Sequence, residues 1–204
     1  DHLCRQASEA VKAGYSIILL SDRGLDARHA PIPSLLATAA VHHHLIREGT
    51  RTKVGLVVES GEPREVMHFA LLIGYGAGAV NPYLAFETLH DLVGKGALPR
   101  HIDYPTAEQN FIKAINKGVL KIMSKMGIST LESYRGAQIF EEVGLNQALV
   151  DRYFTWTPSR IQGIGLETVE EEARRRHSFG YANGRGPARR FRGTSGNSGW
   201  PGHS

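Results

Sequence analysis

Cysteine is almost missing from this chain: Cys4 stands alone among 204 residues. A single cysteine excludes an intramolecular disulfide framework and any CxxC metal or redox motif. It also excludes an iron–sulfur cluster held by several thiolates of this chain. Long apolar runs are missing too, and none approaches the roughly 18 residues of a membrane span. No basic stretch followed by an apolar one marks a secretory leader. There is no Gly-x-Ser-x-Gly elbow, no Walker loop and no HExxH helix, so three common routes to hydrolysis or phosphate chemistry have no anchor. Acidic residues are absent from Arg174 to Ser204, where seven arginines stand.

That last absence explains the charge. The chain as a whole is +4 with a pI near 9.3. Residues 1–173 hold 17 basic and 20 acidic residues, a net of −3. The positive charge therefore belongs to the tail, and with a net −3 body the hint of a nucleic-acid partner is mostly withdrawn. Residues 178–204 carry seven glycines with Ser, Asn and Pro and almost no aliphatics. Such a segment cannot bury enough apolar surface to offset its own ordering entropy, so it is expected to be disordered. Three readings compete for it: a polyanion-binding arm, a solvated linker, or non-native sequence from an out-of-frame read.

What is present is an ordinary globular composition, 41% hydrophobic and 22% charged, long enough for a core of its own. The first hundred residues alternate short apolar runs with helical periodicity. Leu3, Ala7, Ala10 and Val11 open on a helical pattern, as if cut from something larger. Tyr15–Leu20 and Val54–Val58 read as buried strands, and Ala77–Val80 as a third. Helices are predicted from Ser34 to Arg47, from about Arg64 to Ile73, and from Asn81-Pro82 to about Val93. Strand–helix–strand–helix predicts a mostly parallel α/β layer. After residue 100 the pattern turns mostly helical. Thr106-x-x-Gln109 and Ser129-x-x-Glu132 read as capping boxes for helices over 107–126 and near 130–135. Gln138–Phe140 reads as a short strand, Leu145–Tyr153 as a helix, Thr157-Pro158-Ser159 as a loop, and Leu166–Arg176 as a charged helix.

The chemically suggestive residues are few. His42-His43-His44 invites a metal, but successive helical positions point about 100° apart and cannot converge on one ion, so a structural role is expected. Gly74-Tyr75-Gly76-Ala77-Gly78 resembles a phosphate loop in composition. It follows a helix and leads into a strand, the reverse of a dinucleotide fingerprint, so a helix C-cap and turn are expected. Asp22-Arg23 and Glu59-Ser60 follow the first two strands, the place where open α/β sheets bind ligands. They are carried forward as ligand-edge or interface candidates with Arg64, for which a local ion pair is expected. Lys113, Lys117, Lys121 and Lys125 step along one helix face, expected as a solvated stripe with electrostatic support for a phosphate or acidic substrate group as the alternative; Ile112, Ile115, Val119, Ile122 and Met126 step along another face. No metal ligand set and no complete active site emerge, and nothing but its presence makes Cys4 a nucleophile.

Longer stretches carry more. SDRG (21–24), HAPIPSLLATAAVHHHLIREG (29–49), VGLVVESGEPREVMHFA (54–70), GYGAGAVNPYLAFET (74–88), FIKAINKGVLKIMSKMGISTLESYRGAQIFEEVGL (111–145) and TPSRIQGIGLETVEEE (157–172) resemble the large subunit of glutamate synthase. The resemblance covers nearly all of 1–177. It implies an enzyme that turns glutamine, 2-oxoglutarate and reductant into two glutamates, with FMN and a 3Fe–4S cluster, in the cytoplasm. The family's order of parts is an amidotransferase domain, a central α/β domain, an FMN-binding barrel and a β-helix. Residues 1–100 would end the central domain and 101–177 would lead into the barrel. Neighbouring partners would be the amidotransferase and FMN domains of the same chain, with an NAD(P)H-oxidising small subunit or ferredoxin as electron source. No family catalytic residue falls on this segment, and neither cofactor is expected to be held by it alone. A second possibility is direct FMN or substrate contact through Lys125, Ser129 or Arg135. The resemblance stops after Arg176-His177, which favours non-native sequence for the tail.

Overall fold

A computed structural model describes residues 1–181: the last helix runs Leu166–Gly180, so residues 178–180 are helical rather than disordered as expected, and the expectations for the tail from 182 onward lie outside the described residues. The first unit is built from α1 (His2–Lys12), β1 (Ile17–Ser21), α2 (Ser34–Arg47), β2 (Gly55–Glu59), α3 (Val66–Gly74), β3 (Ala79–Asn81) and α4 (Tyr83–Gly94). The three strands are parallel in the order β1-β2-β3, with Ile18 beside Leu56, Leu20 beside Val58, and Val58 beside Val80. The mixed α/β class with a parallel sheet is as the strand–helix alternation predicts. Strands 3.3 Å per residue long with period-2 side chains explain how: Ile18, Leu20 and Leu56 turn to one side and meet Ala7, Val41 and Leu45 of the helices. Val41, Leu45 and Leu56 are completely buried, and each such side chain contributes roughly 1.5–3 kcal/mol by leaving water.

The second part holds α5 (Tyr104–Lys125), α6 (Leu131–Tyr134), β4 (Glu142–Leu145), α7 (Gln147–Tyr153), β5 (Ser159–Ile164) and α8 (Leu166–Gly180). It shares its cores with the first. Phe69 of α3 packs with Ile115, Val119 and Met123 of α5 and Tyr134 of α6. Ala39 of α2 and Tyr75 pack with Leu149, Val150 and Phe154 around α7. The lysine stripe is solvated as expected, while on the apolar face Ile115 and Val119 are buried and Ile112 and Met126 are exposed.

Gly118 is what lets α5 lie on α3. A Cβ there would stand 2.4 Å from Val66 Cγ2. Gly118→Ala trades a helix-propensity gain of about 1 kcal/mol against overpacking of about 1–3 kcal/mol. A net loss of about 1 kcal/mol is expected, read as a lower urea midpoint with an unchanged slope.

Four local expectations are corrected. Asp103, not Thr106, caps α5: its carboxylate accepts the Thr106 N–H at 3.0 Å, and Pro105 occupies the first turn. Thr130, not Ser129, caps α6, accepting from the Ser133 N–H at 3.3 Å. In both cases the cap is the residue just before the observed helix start, Tyr104 and Leu131. Gln138–Phe140 is not a strand. Gln138 takes φ +54, and Phe140 turns inward to stack on Tyr75 with ring centroids 5.9 Å apart; its apolarity signals burial rather than a ladder. The ladder comes later, where β4 pairs in parallel with β5, a strand that begins inside the expected 157–159 loop. Residues 160–164 are exposed, so no alternation announced that strand.

Candidate functional site

The structure brings four of the candidates together at the carboxyl ends of β1 and β2. Asp22 Oδ2 accepts from Ser60 Oγ at 2.6 Å and from the Gly61 N–H at 3.2 Å, and Asp22 Oδ1 accepts from Tyr83 Oη at 2.7 Å. Glu59 Oε1 accepts from Arg23 Nε at 2.8 Å and Asn81 Nδ2 at 3.2 Å; its Oε2 accepts from Ser21 Oγ at 2.6 Å. The Arg23 guanidinium lies 4.1 Å from the Tyr83 ring centroid, a cation–π contact. Glu62 reaches across to Ser34, taking its N–H at 2.7 Å and its hydroxyl at 2.6 Å. That carboxylate is the cap of α2, which begins after Pro33 without a capping side chain of its own.

Electrostatics follow from these bonds. Hydrogen bonds from Ser21 and then Arg23 hold the Glu59 carboxyl below its usual range. Burial, and then donation to Asp22, push the Tyr83 phenol well above its usual value. Ser60 is 1% exposed. Every carboxylate oxygen of Asp22 and Glu59 already has a donor, so neither is poised as a general base. The adjoining cleft of about 470 Å³ is edged by Asp22, Glu59 and Ser60; those carboxylates repel an anionic ligand. Arg64 stands apart. It is exposed, its N–H donates to His68 Nδ1 at 3.2 Å, and on this turn Glu65 Oε1 lies 3.3 Å from His68 Nε2, in place of the Arg64 ion pair expected.

The three histidines face three different neighbours. His42 Nδ1 accepts from Arg51 Nε at 2.9 Å; burial, and then the Arg51 charge, hold its pKa down to about 3, so it is a neutral acceptor. Arg51 also donates to the Val54 and Gly76 carbonyls at 2.7 and 2.8 Å. His43 Nδ1 lies 3.0 Å from the Ala39 carbonyl. His44 Nε2 lies 2.8 Å from Ser8 Oγ, which donates to Glu48 at 2.7 Å. This Ser–His–Glu trio is not a catalytic relay. Glu48 addresses the same His44 Nε2 as Ser8 does, so among the described residues no acid orients the far nitrogen; the trio ties α1 to α2. The Gly74–Gly78 run is a helix C-cap and turn: α3 ends at Gly74, and Gly76 takes φ +116 against His42.

Among the described residues no hydrogen bond joins Lys125, Ser129 and Arg135 to one another. Lys125 is exposed in the last turn of α5, and Ser129 edges an apolar cavity of about 550 Å³ between α3 and α5. Arg135 sits beside the Gly74–Gly76 turn, where the Gly136 N–H bonds to the Gly74 carbonyl at 2.9 Å. Its Nε is buried without an acceptor. Among the described residues no three His, Cys, Asp or Glu side chains are grouped to hold a metal, and one cysteine does not fit an iron–sulfur cluster.

Glu142, seven residues on, has a buried oxygen with no donor, and burial lifts its pKa to about 7. A carboxyl whose folded pKa is raised contributes most below its unfolded pKa near 4.5, and that contribution is lost as pH rises through 7. Glu142→Gln is therefore expected to gain stability over the parent as pH rises from about 4.5 to 8. Urea unfolding at those two pH values reads the difference.

Sequence reasoning missed Ser21, Asn81, Tyr83 and Arg51. Asn81 ends the third strand and Tyr83 follows it, much as Glu59 ends the second and Ser60 follows it, and that shared position was the available signal. Arg51 had none.

Comparison with known proteins closes the question of kinship. The glutamate synthase central domain family matches residues 1–146. The chain is 54% identical over 176 residues to the glutamate synthase [NADPH] large chain of Bacillus subtilis, covering 86% of this chain and 11% of that protein. It is 48% identical to glutamate synthase [NADH] of Schizosaccharomyces pombe, covering 89% of this chain and 9% of the relative. It is 44% identical to the ferredoxin-dependent glutamate synthase of Pyropia yezoensis, covering 89% and 12%. The chain thus spans about a tenth of the length of the curated relatives it matches. It belongs to the glutamate synthase family, and residues 1–146 are sequence of that family's central domain.

Proposed function

We propose that this chain is a positioning segment of a glutamate synthase, which makes two glutamates from glutamine, 2-oxoglutarate and reductant. In this reading the expected boundary at residue 100 moves to 146, where the match to the central domain ends, and residues 147–177 connect that domain to the FMN-binding part. The segment keeps the amidotransferase and flavin sites in register and walls the ammonia route between them. FMN, the iron–sulfur cluster and the electron-delivering partner, a pyridine-nucleotide-oxidising subunit or ferredoxin, belong to other parts of a cytoplasmic enzyme. The observation that carries this is the strand-end cluster, whose carboxylates are already paired with Ser21, Arg23, Ser60, Asn81 and Tyr83. Such a cluster rigidifies a wall and leaves no group free for chemistry. No helix among the described residues is long and apolar enough to cross a membrane.

One observation favours direct flavin or substrate contact instead, and only at one of its three candidates: the unpartnered Nε of Arg135. Flavin content of the full-length enzyme separates the readings. Arg135→Met is expected to leave flavin per chain unchanged. Loss of flavin at an unchanged melting temperature would overturn the positioning role for this residue.

A further inference from the structure

Among the described residues the parallel sheet carries helices on one face only. Ile18, Leu20 and Leu56 meet α1 and α2, and Val58 meets Leu72 of α3. The alternate residues are bare: Ile17 is 64% exposed and Leu19 55%, with Tyr15 at 65% just before them. Parallel sheets occur with both faces covered. Two more observations say what covers this one.

The first is the edge of β1. The Gly55 N–H bonds to the Ser16 carbonyl at 2.9 Å, and the Asp22 N–H bonds to the Glu59 carbonyl at 3.2 Å. Residues 16, 18, 20 and 22 therefore turn their backbone groups toward β2. By the alternation of a parallel ladder, Ile17, Leu19 and Ser21 direct theirs the other way. No strand lies there among the described residues.

The second is the place of α1. It packs on α2, and its Ala7 shares a core with Ile18 and Leu20, so it lies on the same face as the crossover helices α2 and α3. Parallel crossovers are right-handed. On a given face they therefore always step in the same direction, here from β1 to β2 to β3. A helix that feeds β1 from that face receives its chain from the far side of β1, which is the open edge.

We propose that in the full-length glutamate synthase chain the open edge of β1 is paired by a parallel strand from the sequence preceding α1. An apolar helix connected to that strand covers Tyr15, Ile17 and Leu19. This rests on the reading of the chain as part of a larger enzyme, and the relatives have the length to supply the strand, since this chain covers only 11% of the Bacillus subtilis protein.

Amide hydrogen exchange on the full-length chain, with the 204-residue chain alongside, tests it without any substitution. The amides of Ile17, Leu19 and Ser21 are expected to exchange at least about 100-fold more slowly in the full-length chain. Equal, fast exchange of these amides in both would overturn the proposal. So would protection in the 204-residue chain that disappears on dilution, because the occupant would then be a second copy. Neither result bears on the positioning role, which is read from the activity of strand-end variants.

Discussion

Asp22→Ala is expected to lower the unfolding free energy by about 3 kcal/mol. Its carboxylate is the acceptor for the Ser60 hydroxyl, the Gly61 N–H and the Tyr83 phenol. A buried donor left without an acceptor costs roughly 1–3 kcal/mol. Ser60, 1% exposed, cannot find water in exchange, whereas Gly61 and Tyr83 are only part-buried and recover some hydration; the sum is held near the stated value for that reason. Asp22→Asn keeps one acceptor oxygen and is expected to cost about half as much. Urea unfolding reads both. In the full-length enzyme the same substitutions are expected to lower thermal stability while leaving the specific activity of the folded fraction within about twofold. A catalytic carboxylate would behave in the opposite way, losing rate at unchanged stability.

Gly76→Ala is the second large effect, and its cause is steric. At φ +116 an L side chain is strained whatever surrounds it. Here the new Cβ would also stand 2.3 Å from His42 Nδ1 and 3.1 Å from His42 Cβ. Relief requires His42 to move, which strips Arg51 Nε of its acceptor. Strain of about 1–2 kcal/mol and the loss of a half-buried charge-assisted hydrogen bond of about 1.5–3 kcal/mol together give about 3–4 kcal/mol. Gly49→Ala is the control. It has positive φ, at +68, but open space around the added carbon, so only the backbone strain applies and a loss of about 1 kcal/mol is expected. A Gly76 variant no worse than the Gly49 variant would show that His42 and Arg51 do not form the close-packed joint described.

The two substitutions illustrate how much was legible beforehand. Short continuous apolar runs placed β1 and β2, and the prolines before it with Gly49 after it placed the helix Ser34–Arg47. Position after a strand placed Asp22, Arg23, Glu59 and Ser60 at one edge, because parallel strands bring their carboxyl ends together. The same logic did not extend to Tyr83, 61 residues from Asp22, since a hydrogen bond between loops leaves no periodic trace. Arg51 and Arg135 converge on the Gly74–Gly76 turn for tertiary reasons that no local pattern encodes. β4 and β5 were hidden because their outer residues, among them Val143 and Ile161, are exposed and break the alternation that identifies a strand. The histidine triplet was legible in the negative: 100° between neighbours already separated the rings, and the structure shows the separate partners each one takes.

The most direct test is the yield of glutamate per glutamine hydrolysed by the full-length enzyme carrying Asp22→Asn together with Ser60→Ala. A positioning segment predicts kcat for glutamate formation within about twofold of the parent and a full flavin complement. Any defect should appear as ammonia lost between the two sites and a lower melting temperature. A fall in kcat of about 100-fold or more, at unchanged stability and unchanged coupling, would place these residues in the chemistry and contradict the account.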